Sequence, residues 1–166
     1  ARLLDDGRIE IGVHIADVTS FLFPGTAMDE EAARRGTTTY LVQRRLDMLP
    51  GALTTDICSL VGEQERLAFS VFWILDKETM LPDEKIQPRF TKSVIKSAAA
   101  LTYEQAQTRI DDLTMNDDLT LSLRRLRDVA RKLRKRRMDN GALTLASPEV
   151  RFEMDQQSSD PLDVGM

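Results

Sequence analysis

The sequence predicts an α+β fold, a mixed α/β sheet with flanking helices, on three observations. An alternating apolar stretch near the start and a continuous apolar run at 67–75 mark strands, with helical capping signals lying between them. From Thr102 onward the pattern changes to helix. Strands first and helices later, with helices inserted between strands, is the order of an α+β sheet. The 166 residues suit one domain able to bury a core without staples.

Taken in order, Asp5-Asp6-Gly7 is turn chemistry. Residues 8–16 then alternate, with Ile9, Ile11, Val13 and Ile15 on one face and Glu10, Gly12, His14 and Ala16 on the other, as in a strand with one apolar side. "FPGTAMDEEAARRG" supplies a Pro-Gly turn, Thr26 as N-cap, acids in the first turn, arginines in the last and Gly36 past the end, all pointing to a short helix. "TTTYLV" at 37–42 is β-branched and aromatic, hence extended, and "QRRLDMLPG" is irregular. "LTTDICSL" opens a second short helix capped by Thr54 or Thr55. "LAFSVFWIL", apolar on nearly both sides, predicts a central strand covered on both faces. "DKETMLPDEK" is a polar connection and "RFTKSVIKSA" a further strand.

"LTYEQAQTRIDD" carries a capping box, Thr102 with Gln105. Residues 119–138 form a long helix with Leu119, Leu123, Leu126, Ala130 and Leu133 as its core stripe, opposite the arginines. Gly141 is its C-terminal cap, and "PEVRFEMD" is a last strand.

Composition excludes several classes. Cys58 is the only cysteine, so no internal disulfide forms; this agrees with a reducing compartment, and Cys58 reads as a small buried hydrophobe. No apolar run is long enough to span a bilayer and no secretory leader is present, so no membrane is expected and an intracellular location is. The chain begins with Ala1 and ends at "DPLDVGM", which reads as an excised piece of a longer protein. Net charge is −4, yet residues 119–139 hold nine basic residues and two acids, a balance of +7 that leaves −11 elsewhere. That basic stripe is a polyanion contact or a solvated helix face.

No Gly-rich phosphate loop, His-Glu-x-x-His, Cys-x-x-Cys or Gly-x-Ser-x-Gly is present. One histidine and one cysteine make imidazole or thiolate metal sites and a Ser-His-Asp triad poor prospects. Carboxylates are the donors Mg²⁺ prefers, which directs attention to Asp5/Asp6, Asp111/Asp112 and Asp117/Asp118. Neighbours on a strand point to opposite faces, and acids flanking helices serve as turns and caps. Tyr40, in a Thr-rich extended segment just before Arg44 and Arg45, is either a base-stacking face beside two phosphate binders or a core tyrosine with its hydroxyl satisfied.

The blocks "HIADV", "RRGTTTYL", "RRLDMLP", "CSL" and "RLAFSV" occur in an order and spacing that resembles the catalytic RNB domain of the RNase II and RNase R superfamily of 3′→5′ exoribonucleases. "FTKSVIKSAAALTYEQAQ", "NDDLTLSLRRL" and "RRMDNGALTLASPEVRFEMD" look closest to its Rrp44-like branch, the catalytic subunit of the eukaryotic exosome. The similarity covers essentially the whole chain and implies the N-terminal part of an RNB domain, with residues 1–166 a partial domain truncated at both ends. It further implies Mg²⁺-dependent hydrolysis of single-stranded RNA, exosome subunits as partners of the full-length protein, and a nuclear or cytoplasmic location.

The family's four metal-binding aspartates, Asp-x5-Asp-x-Asp-Asp, belong immediately upstream of Ala1. "LLDDG" does not match them. The family's catalytic arginine and glutamate lie beyond Met166, so no catalytic or metal-binding residue is expected within the chain. The tyrosine that packs on the terminal nucleotide corresponds to Tyr40, and the resemblance makes Tyr40, Arg44 and Arg45 the substrate-binding candidates, with the arginines holding phosphate or stabilising the fold. His14 is expected to be structural, and Asp17 to accept loop amide hydrogen bonds. A hydrolytically inactive RNA-binding or scaffold member of the superfamily is the competing reading. A weaker third is an unrelated α+β protein whose basic helix binds an acidic partner.

Overall fold

The computed structural model describes residues 1–83 and 85–145 with their side chains, and the backbone of Arg151–Met154 and Pro161–Gly165. Its centre is a four-stranded antiparallel sheet in the order β1-β2-β5-β6, built from β1 (Arg2–Leu3), β2 (Ile9–Ala16), β5 (Glu65–Leu75) and β6 (Arg89–Lys96). Two small hairpins accompany it: β3 (Thr39–Tyr40) with β4 (Arg45–Leu46), and β7 (Arg151–Met154) with β8 (Pro161–Gly165). Among the described residues three α-helices, α1 (Ala27–Arg35), α2 (Tyr103–Asp111) and α3 (Asp118–Asp139), accompany the sheet. The α+β expectation holds, with every strand pair antiparallel. β7 lies within the stretch expected to form the last strand, whose Pro148–Val150 and Asp155 are outside the described residues.

The turn at Asp5-Asp6-Gly7 forms as expected: Gly7 is at φ 83°, and Asp6 accepts from the Arg8 backbone N–H (3.0 Å) and its Nε (2.7 Å). The Arg8 amide, above all, lowers the pKa of Asp6. β2 then pairs with β5 along its whole length, Ile9 opposite Leu75 through Ala16 opposite Ala68. Ile9, Leu75 and Val129 of α3 form the buried core, with Ile11, Trp73, Met80 and Leu133 packed around them.

The helix stripe is rotated from the sequence expectation. Val129 and Leu133 face the sheet, while Leu126 and Ala130 are exposed. Two fixed points set this rotation. Thr120 is fully buried where Arg109 Nη1 and the Asp117 cap meet its side chain, and Ala1 reaches Ser122 Oγ at 2.8 Å. At its far end α3 closes with both hydrogen bonds of a Schellman motif, Ala142 N to Arg137 O (3.0 Å) and Gly141 N to Met138 O (2.9 Å), with Gly141 at φ 87°.

β5 is central in pairing but is not covered on both faces throughout. Its small residues Ala68 and Ser70 are buried, whereas Leu67 and Phe69 are exposed beside Ile15, which is 63% accessible. The helix covers only the Ile9–Leu75 end of that apolar face, so among the described residues the other end stays open.

On the opposite face, hydroxyls order His14. Ser93 Oγ donates to the Ala68 carbonyl (3.3 Å) and Ser70 Oγ lies 2.6 Å from Ser93 Oγ. With Ser93 already donating, Ser70 donates to Ser93 and accepts from His14 Nδ1–H at 2.7 Å. The imidazole meets Phe72 edge-on, centroids 5.5 Å apart. Gly12 makes room for it, since a Cβ there would sit 2.8 Å from His14 Nε2. These contacts hold the imidazole in one orientation on the sheet, in line with the structural role expected for His14.

Asp17, buried just past the end of β2, differs in its partners from the expectation of loop amides. It accepts from Thr19 Oγ1 (2.5 Å) and Ser20 Oγ (2.8 Å) and pairs with Lys92 Nζ (3.0 Å). A turn as short as Val18–Ser20 brings these hydroxyls back onto the carboxylate that precedes them. The Thr19 and Ser20 hydroxyls, then Lys92, lower its pKa from 3.8 to about 2. A carboxylate depressed in the folded state stabilises the fold above its unfolded pKa and loses that contribution as pH falls from 3.8 toward about 2. Asp17→Asn is expected to lower the melting temperature at pH 7 and to shrink the difference from the parent chain across that acid window, as followed by circular dichroism.

Cys58 is buried as expected, and burial, with the Asp17 charge second, raises its thiol pKa. The short helix before it is a π-turn, Ala52–Ile57, led by Gly51. Thr54 and Thr55 sit inside this turn and do not cap it; Thr55 Oγ1 donates to the Gly51 carbonyl at 2.8 Å. The chain has already entered helical conformation at Gly51, so the cap position lies upstream of both threonines.

Candidate nucleic-acid interface

The β3–β4 hairpin presents the residues singled out from the sequence. Its expected extended segment, 37–42, is paired only at Thr39–Tyr40, and the connection is closed by Leu41 N to Arg44 O at 2.9 Å. Tyr40 stands opposite Arg45 and is 76% accessible. Within the described residues this tyrosine is no core residue; its ring offers a face to solvent.

The two arginines differ. Arg45 is held by Asp47, with Nε 2.6 Å from Oδ1 and Nη2 3.1 Å from Oδ2. Thr54 of the π-turn also reaches Asp47 Oδ2, at 3.5 Å, and Arg35 of α1 donates to the Asp47 carbonyl at 2.9 Å. Arg35 is itself paired with Glu31 at 2.8 Å. Asp47 thus ties the hairpin arm to α1 and to the π-turn. Arg44, in the exposed connection, has no ion pair among the described residues. Asp47 carries no motif of its own, although its two-residue spacing from Arg45 puts both on one side of an extended strand. Between α1 and the segment after β4 runs a cleft of about 420 Å³, lined by Met28, Glu31, Arg35, Asp47, Met48 and Leu49.

α1 holds its end of this arrangement with the signals read from the sequence. Thr26 Oγ1 accepts from Asp29 N at 3.3 Å, and Gly36, at φ 71°, ends the helix by returning its N–H to Ala32 O at 2.9 Å. Tyr103 is even more exposed than Tyr40, at the start of α2. Arg109 of that helix is already engaged by Asp117 at 3.1 Å.

The acid pairs are used locally. Asp111 takes Gln107 Nε2 at 2.8 and 2.9 Å. Asp112 accepts from the Thr114 hydroxyl (2.6 Å) and amide (2.9 Å), which lower its pKa. Asp117 caps α3, its pKa lowered by the Thr120 hydroxyl and then the Thr120 amide. Among the described residues no group of three or more His, Cys, Asp or Glu side chains gathers to hold a metal ion. The described residues do not fit a Mg²⁺ site. Among the described residues no helix is long and apolar enough to cross a membrane.

The chain matches the RNB domain family model over residues 1–165. It is 57% identical over 164 residues to the exosome complex exonuclease RRP44 homolog A of Arabidopsis thaliana and 53% identical over 163 residues to the human exosome complex exonuclease RRP44. Each match covers 98% of this chain and 17% of the relative, so the chain spans about a sixth of the length of these curated relatives. Among solved structures, Mycoplasma genitalium RNase R in complex with double-stranded RNA superposes with a TM-score of 0.82 at 21% identity, over 93% of this chain and 27% of that one. The likeness in fold and the match over nearly every residue agree: the chain belongs to the RNB domain family.

Proposed function

We propose that this chain is the substrate-holding part of a 3′→5′ exoribonuclease, of the kind that serves the exosome in the nucleus or cytoplasm, and that the Tyr40 hairpin receives single-stranded RNA. The observation that carries this reading is an exposed tyrosine ring on a hairpin fixed by Asp47, with Arg44, which has no ion pair among the described residues, in the same hairpin. The family match and the names of the relatives support it. Tyr40 stacks on a base near the 3′ end, and Arg44 takes an adjacent phosphate. Arg45 stays with Asp47 and keeps the hairpin in place. Stacking and backbone contacts carry little base information, so recognition is tolerant of sequence.

Hydrolysis is assigned to residues outside this chain. Mg²⁺ ligands are expected upstream of Ala1, as four aspartates at the family spacing; substituted aspartates there would instead favour a hydrolytically inactive RNA-binding member. The residues of this chain contribute position: a ring face for the base, a guanidinium for the phosphate, and an anchored hairpin that sets the distance between the two.

Arg44 and Arg45 separate binding from architecture. Arg44→Ala is expected to weaken binding of a single-stranded RNA oligomer and to reduce the slope of log K against log salt by ~0.7, one phosphate contact, with an unchanged melting temperature. Arg45→Ala is expected to lower stability by ~0.2 to 1 kcal/mol, the size of an exposed ion pair. Anisotropy titrations over a salt series together with thermal melts check both.

A further inference from the structure

We propose that the C-terminal half of α3 is a second contact for RNA, one that grips the sugar-phosphate backbone of the strand away from the Tyr40 hairpin. The inference rests on the RNA reading above. From Arg131 to Arg137 every residue except Leu133 is a cation: Arg131, Lys132, Arg134, Lys135, Arg136 and Arg137. All six are exposed, while Leu133 packs on the core. Among the described residues only Lys135 has an ion-pair partner, Asp139 at 2.8 Å.

A merely solvated helix face would intersperse acids with these cations at three- and four-residue spacing. Here Arg131/Arg134, Lys132/Lys135 and Arg134/Arg137 are like-charged neighbours, an arrangement that disfavours the helix until a polyanion lies against it. The helix is nonetheless rigidly held, by Val129 and Leu133 in the core and by the Schellman closure at Gly141. The helix backbone that carries the cations is therefore in place before any ligand arrives.

Their distribution favours a nucleic acid backbone over an acidic protein. The charges surround the exposed circumference and line a hollow on each flank. One, of about 450 Å³, lies by Met80, Arg131, Lys132 and Lys135 with a single acid, Asp128, already paired to Arg127 at 2.8 Å; the other, of about 270 Å³, lies by Arg134 and Arg137 with the apolar Met138, Leu143 and Leu145. A partner helix or strand would need an apolar seam along the basic stretch; within 131–137 only Leu133 is apolar and it is turned inward, and the exposed Met138, Leu143 and Leu145 sit past that stretch, beside one hollow only. No aromatic residue occurs in α3, so bases find no stacking surface there, whereas four of the six cations are arginines suited to bidentate phosphate contacts.

The test measures the affinity of the 166-residue chain for a single-stranded oligouridylate over a salt series, for the parent, Arg134→Glu/Arg137→Glu, Arg134→Gln/Arg137→Gln and Tyr40→Ala, with circular dichroism to verify folding. Loss of two phosphate contacts predicts a log–log slope shallower by ~1.4 in both double variants. Tyr40→Ala is expected to weaken binding with its slope unchanged. Parental slopes in both double variants, with the Tyr40 effect intact, overturn the α3 contact alone. No binding by the parent chain at low salt overturns both the contact and the RNA reading. Tighter binding of polyglutamate than of the oligouridylate at matched charge overturns the proposal in favour of an acidic protein.

Discussion

Tyr40→Ala is expected to weaken binding of a single-stranded RNA 3′ end by ~1 to 3 kcal/mol, the range for a base stacked on an aromatic side chain. That is a loss of roughly 5- to 150-fold in affinity. Tyr40→Phe keeps the ring face and is expected to keep most of the binding. Neither substitution should alter stability by more than ~0.5 kcal/mol, because the residue is 76% accessible and fills no core space. Anisotropy with a 3′-labelled oligomer reads the affinity, and a thermal melt of the same samples reads the stability. Loss of both together would mean that the ring supports the hairpin. In a full-length parent, the same substitution is expected to change the length of the final product.

A second large effect lies far from the hairpin. Leu75 is 2% accessible, opposite Ile9 and against Val129, so it joins the central sheet to α3. Leu75→Ala is expected to cost ~2 to 5 kcal/mol, from lost burial and the cavity left behind. At ~2 to 4 °C per kcal/mol for a domain of this size, the melting temperature falls by several degrees at the least. Ile15→Ala, near the other end of β2, is expected to change stability by ~0.5 kcal/mol or less, since among the described residues that end of the apolar face is open. The two residues look alike in an alternation pattern. Calorimetry on the two variants separates the covered end of the sheet from the open one.

That contrast marks how far the sequence could be read. Alternation placed β2, and the caps at Thr26 and Thr102 placed α1 and α2, because both signals are local: a side-chain period of two, and a hydroxyl that accepts from an amide three residues on. What covers each face is not local. Ile15 and Ile9 belong to one stripe, but only Ile9 meets α3. The rotation of α3 escaped for the same reason: Val129 lies between leucines in sequence, and its selection for the core depends on where Thr120 and Ser122 are anchored. Thr54 and Thr55 have the chemistry of caps, yet the π-turn begins upstream of them at Ala52.

The candidate site was legible in part. Tyr40 beside two arginines stood out by composition, and the family resemblance gave it a role. The division of labour between Arg44 and Arg45 was not visible, because it depends on Asp47 folding back onto one guanidinium while Arg35 and Thr54 hold Asp47. Asp17 was recognised as an acceptor, but its donors are hydroxyls and a lysine from β6, 75 residues along the chain. The adjacent acids near His14, which invite a metal reading on paper, resolve into a turn at Asp6 and a hydroxyl-held imidazole.

The most direct test of the central claim, that these residues hold RNA while the hydrolytic residues lie outside them, is to incubate the 166-residue chain with 5′-labelled single-stranded RNA and Mg²⁺ and to resolve the products on a denaturing gel beside a native gel of the same mixture. Full-length RNA is expected on the first and a retarded complex, lost with Tyr40→Ala, on the second. A ladder of 3′-shortened products would contradict that claim.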